Sequence, residues 1–159
     1  MSRPIPHHTA KPGFIISEKP GLLRRLAAIC YDSFLLIAVL FFATALLLPF
    51  NNGVAFTPDH VFYPFYLLYL LAVSFAFYGW FWIHGGQTLG MRAWKIRVLT
   101  LDQQPITWRQ AALRFVCALL SWAVIGIGYL WIVFDKNRFG WHDHLSKTAI
   151  FFHRPPKSR

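Results

Sequence analysis

Charge is scarce in this chain, and negative charge is scarcer. Only 14% of the 159 residues are Asp, Glu, Lys or Arg, and six are acidic. A soluble domain carries about a quarter charged residues, so a charge-covered soluble surface is not expected. The 56% hydrophobic and 18% aromatic content agrees. Lysine and arginine are missing altogether from Leu26 to Ile83. The net charge of +10 could suggest nucleic acid. The basic residues, however, punctuate apolar runs, as the flanks of membrane spans do, and form no single basic patch. Nucleic acid is therefore not an expected partner; the lipid bilayer is. Cysteine is nearly absent. Cys30 and Cys117 each lie in an apolar segment without metal-ligand spacing, so both read as buried thiols. Serine elbows, HExxH and paired carboxylates are also missing. His142-Asp143-His144 are adjacent on a turn, and such neighbours rarely converge on one metal. The chain is thus not expected to be an enzyme or to carry a metal or cofactor.

What is present in quantity is long apolar sequence. Leu22 to Leu48 reads LLRRLAAICYDSFLLIAVLFFATALLL, two arginines followed by 23 residues with one charge, Asp32. A bilayer core of about 30 Å needs roughly 20 such residues in a helix. The run is too long for a signal-peptide core and carries an aspartate, so it reads as a retained anchor. Arg25 and Asp32 are seven apart, which places them on one helix face and about 10 Å apart in depth. A carboxylate at that depth costs roughly 2.5–3.5 kcal/mol and should face protein or water, not lipid. Arg114, just inside another apolar segment, is the expected partner of Asp32.

The first loop, Pro49 to Pro64, carries the turn signals Asn51-Asn52-Gly53 and Thr57-Pro58-Asp59. A second span follows from about Phe62 to Ile83, with tyrosines toward one end and Tyr78, Trp80 and Trp82 toward the other, as in interfacial belts. Gly85-Gly86 suggests a tight exit; no Gly-Lys-Ser/Thr follows, so a phosphate loop is disfavoured. Trp94 to Leu101 alternates like an amphipathic strand. Asp102 to Pro105 would turn it and Ile106 to Trp108 would return it as a short cytoplasmic hairpin. Thr107 is placed to cap the next helix. The third apolar segment, Trp108 to Phe134, contains Arg109 and Arg114 and is interrupted by Gly126-Ile127-Gly128. Thr148 to Phe152 has strand character.

Lysine and arginine number five before Leu26, five from His84 to Arg114 and six from Asp135 onward. Cytoplasmic flanks are the basic ones. Two full spans with both termini inside satisfy that rule, whereas a third crossing would export six basic residues. The expected fold is an all-α membrane protein: two full transmembrane helices, a third bent or re-entrant apolar segment, and a small cytoplasmic β-hairpin. Residues 1–20 are expected to be a flexible cytoplasmic tail, 21–153 the membrane domain and 154–159 a basic tail.

These residues together resemble the RDD family of small bacterial membrane proteins, named for an arginine and two aspartates. Arg25 and Asp32 match the first two letters. The third falls after the last apolar run, where both Asp135 and Asp143 are available. GGQTLGMRAWKIRVL is similar to the family's loop, with Met91 where a basic residue is usual, and FDKNRFGWHDHLSKTAIF is similar to its close. The resemblance covers about residues 20 to 152. It implies a bacterial inner-membrane protein and, for activity, no more than a suggested role in transport. The polar centre is then Arg25, Asp32, Arg114, Asp135 and Asp143. It serves either ion or small-solute transport, which in so thin a bundle would require a homo-oligomer, or only as a static clamp in a membrane scaffold.

Overall fold

The computed structural model describes residues 20–123 and 140–152. Helix α1 spans Leu22–Leu47 and α2 spans Tyr63–His84, close to the expected limits. The first starts after Pro20 with Gly21 in extended backbone at its N-cap. It stops where Pro49 opens a 3-10 turn, Leu48–Asn51, closed by Asn52 in the left-handed region. Pro64 sits in the first turn of α2, where a missing N–H costs nothing. At 1.5 Å per residue the two helices are about 39 and 33 Å long, enough to cross a bilayer core of about 30 Å.

Their apolar surface is mostly left outside the protein core. On α1 only Arg25, Ala28, Asp32 and Ala43 are buried, while Phe34 and Phe41 are 71% and 79% exposed. Arg25, Ala28 and Asp32 follow helical spacing, so a polar stripe is what this apolar helix turns inward. Cys30 falls off that stripe and is exposed, which corrects its reading as a buried thiol; Cys117 is buried. Farther along α1, the small Ala43 lets α2 approach. The Tyr69 hydroxyl donates to the Ala43 carbonyl at 3.3 Å, and the Thr44 and Tyr66 hydroxyls lie 3.0 Å apart. These tyrosines therefore bind helix to helix, besides any interfacial role.

A short helix α3, Leu89–Ala93, leads into strand β1, Ile96–Thr100. Helix α4 covers Trp108–Ala123. Its start carries a reciprocal capping pair: Thr107 Oγ1 accepts from the Gln110 N–H, and Gln110 Oε1 accepts from the Thr107 N–H at 3.0 Å. The rest of the third apolar segment, including the expected bend at residues 126–128, lies outside the described residues. Helix α5, Trp141–Ser146, then runs into strand β2, Thr148–Phe152.

The expected hairpin is not formed. A turn does occur after β1, with Gln103 N–H donating to Thr100 O, but the returning residues are not a strand. Pro105 has no N–H to give a ladder, and Ile106 is buried in the core instead, 3% exposed. The partner of β1 is β2, antiparallel, with Val98 opposite Ile150. The sheet closes a core of Trp82, Met91, Ile96, Val98, Phe115 and Ile150 at one end of the helices. That end gathers the start of α1, the end of α2, the start of α4 and residues 140–152.

Candidate functional site

Three charged side chains from three helices meet in this core. Arg25 Nη1 donates to Asp143 Oδ2 at 2.5 Å, and Arg114 Nη1 donates to Asp143 Oδ1 at 2.5 Å. The Asp143 side chain is fully buried; those of Arg25 and Arg114 are 1% and 4% exposed. Secondary contacts fix each member. Arg25 Nε donates to the Pro20 carbonyl at 3.2 Å, which ties the helix entry to the centre. Arg114 Nη1 also donates to Thr148 Oγ1 at 2.9 Å, and its guanidinium lies over the Trp82 ring. The Gly140 N–H donates to Asp143 Oδ2 at 3.1 Å. One carboxylate thus bridges α1, α4 and α5.

Asp32 is buried, 2% exposed, but Arg114 is not its partner. Its oxygens accept instead from the Thr88 hydroxyl at 2.5 Å and the Gly90 N–H at 2.8 Å. The expected Asp32–Arg114 pair is therefore corrected. Asp143 already holds Arg114, and the α2–α3 loop supplies neutral donors to Asp32. The loop is shaped for this. Gly86 takes φ +66° and lies so close to Val98 O and Arg97 that a side chain would be at 2.8 Å. Gln87 Nε2 anchors the turn to Ile96 O at 2.7 Å. Thr88 caps α3 by accepting from the Met91 N–H while donating to Asp32. A Cβ on Gly90 would sit 2.4 Å from Ala28 O, so only glycine lets α3 touch α1 here. The anion that this loop holds is the protein's own carboxylate.

Of the five sequence-predicted residues, Arg25, Arg114 and Asp143 meet directly, and Asp32 lies on the same stripe of α1. Asp135 lies outside the described residues, as do the side chains of His142 and His144. Thr88 and Gly90, which bond to Asp32, and Thr148, which bonds to Arg114, are contacts that sequence reasoning missed. Thr88 had a readable signal, a threonine just before a short helix.

A cavity of about 270 Å³ opens from the centre between α1, α2 and α4. Arg25, Asp32, Thr88 and Arg114 form its polar walls, and Leu36, Leu71, Leu119 and Trp122 line it farther along the helices. From Arg25 to Leu36 it follows α1 for about 16 Å, at 1.5 Å per residue. Such a chamber can hold a small molecule by charge-assisted hydrogen bonds at one end and apolar contact at the other. Among the described residues, no three His, Cys, Asp or Glu side chains come together.

No curated protein and no solved structure matches the chain significantly. The profile of the RDD family matches residues 19–147, a stretch that holds the arginine of α1, the carboxylate at the loop and the aspartate that bridges three helices. Together with its two apolar helices this points to a membrane protein, and by that match the chain belongs to the RDD family.

Proposed function

We propose that this is a multi-pass protein of a bacterial cytoplasmic membrane that moves ions or small solutes, using the cavity between α1, α2 and α4 as its chamber. The cavity carries the reading. It links a buried charge centre to the lipid-length part of the helices, where intramembrane ionisable groups commonly mark solute pathways. The described basic residues cluster toward the end of the molecule that holds the charge centre, which supports a cytoplasmic position for that end. Residues 108 and 140 both lie near it, and the returning segment expected between them falls on residues 124–139, outside those described. The thin bundle makes a homo-oligomer the working unit. Vesicles containing the purified protein should exchange trapped ions or solutes faster than empty vesicles, and Asp32→Asn should abolish the excess. An accessibility map with a C-terminal tag should find it on the cytoplasmic side; an external tag would reject the returning segment.

A second reading is a scaffold or assembly partner without transport. It is favoured by the tight bracketing of Asp143, which suits a permanent clamp. Co-purification of a neighbouring protein from mildly solubilised membranes, with vesicles inert, would support it.

A further inference from the structure

We infer that the cavity takes a small zwitterion with an apolar tail, of the size and chemistry of a free apolar amino acid. The inference rests on the proposal that this cavity is a binding chamber, and it names the class of occupant. Two polar groups in its walls have capacity that the protein leaves unused. Arg114 is 3% exposed, yet both its hydrogen bonds among the described residues are made by Nη1. Its Nε and Nη2 have no partner among the described residues, and the side chain lines the cavity. Asp32 is equally buried, and each of its oxygens accepts a single hydrogen bond, from Thr88 or Gly90, where a carboxylate oxygen can accept two. Among the described residues no cation lies within ion-pair distance of it.

Charge balance selects between ligands. Arg25 and Arg114 carry two positive charges, and Asp143 and Asp32 two negative, so the described centre is neutral. A simple anion or cation would leave a net charge in a buried space, where it is costly. A molecule with both signs keeps the balance. Its carboxylate would meet the unused guanidinium donors and its ammonium the Asp32 carboxylate. Most of the remaining wall is apolar, with Leu36, Leu71, Phe115, Leu119 and Trp122, and the Ser33 and Ser74 hydroxyls that also line it already donate to the carbonyls of Ile29 and Leu70 in their own helices. Size sets the scale of the occupant: at about 270 Å³ the cavity is at or just below the low end for a ligand site, room for the body of one small molecule.

The test is calorimetric binding to the detergent-purified full chain, independent of any flux assay. The probes are L-leucine, L-methionine and L-phenylalanine, with 4-methylpentanoate and 3-methylbutylamine as the single-charge halves of leucine. At least one amino acid should bind at millimolar concentration or better. Each half should bind about tenfold more weakly or worse, since it forfeits a charge-assisted contact. Ala118 also lines the cavity, and Asp32→Asn, Arg114→Lys and the cavity-filling Ala118→Phe should each weaken binding by about tenfold or more while eluting as the same single species as the parent. Failure of all three amino acids to bind a well-folded protein would overturn the inference. So would a half-molecule binding as well as leucine, or binding unchanged by Ala118→Phe. Binding without flux would reject transport and leave the ligand assignment standing.

Discussion

Arg25 and Asp143, 118 residues apart in the chain, meet at 2.5 Å with side chains 1% and 0% exposed. The same carboxylate holds Arg114. Asp143→Asn keeps the shape of the side chain but removes the carboxylate charge that two buried guanidiniums contact. The expected loss is about 3–5 kcal/mol, the range for breaking a buried pair. It would be read as a drop in melting temperature of the purified protein, or as aggregation. A melting temperature equal to that of the parent would show that Asp143 does not bind the three helices together.

Thr88 serves two partners with one hydroxyl, so Thr88→Val should remove both the donor to Asp32 and the cap of α3. A loss of about 2 kcal/mol or more is expected from an unmatched buried acceptor and a lost cap. Thr88→Ser should restore most of it in the same thermal measurement. If serine fared no better than valine, methyl packing and not the hydroxyl would be the cause.

Gly90→Ala adds one methyl group where Ala28 O is 2.4 Å and Asp32 Oδ1 is 2.9 Å away. Both neighbours belong to α1, and Ala28 O is fixed backbone. Overpacking of this kind costs about 1–3 kcal/mol, and it should also separate the Gly90 N–H from Asp32. Combined with Thr88→Val the two losses should fall short of their sum, because both act on one carboxylate. Full additivity would mean that the two contacts are independent.

The Val98 N–H donates to Gly86 O at 2.7 Å, away from β2, which marks Val98 and Ile150 as a non-hydrogen-bonded pair. Their Cα atoms should then be about 4.5 Å apart, within disulfide reach. Val98→Cys with Ile150→Cys, in a background lacking Cys30 and Cys117, should cross-link readily under mild oxidation. A gel-mobility change that disappears on reduction would record it. Failure to cross-link would contradict the strand register.

Much of this architecture was legible because local signals and tertiary structure agree. The apolar length of α1 and α2 set their limits within a residue or two, and Thr107 gave the start of α4. The seven-residue spacing of Arg25 and Asp32 correctly put both on the inward face. Pairings over long distances were not legible. Depth alone suggested Arg114 for Asp32, but depth does not record that a second carboxylate arrives from residue 143. Nor does it record that an N–H and a hydroxyl can hold a buried anion. The hairpin failed for a similar reason. A nearby turn favoured a local partner for β1, while Thr148 to Phe152, recognised as a strand, had no local feature naming its mate.

The order in which this fold is made follows from where its parts lie in the chain. Arg25 emerges from the ribosome early, and its carboxylate partner is translated 118 residues later. At about 5–20 residues per second, that is a wait on the order of ten seconds. Until then the first helix holds its guanidinium without the intended counter-ion, and strand β1 has an open edge. The lock therefore snaps shut only when the final residues of the domain arrive, and a nascent protein cut short before Asp143 lacks the carboxylate that joins α1 to α4.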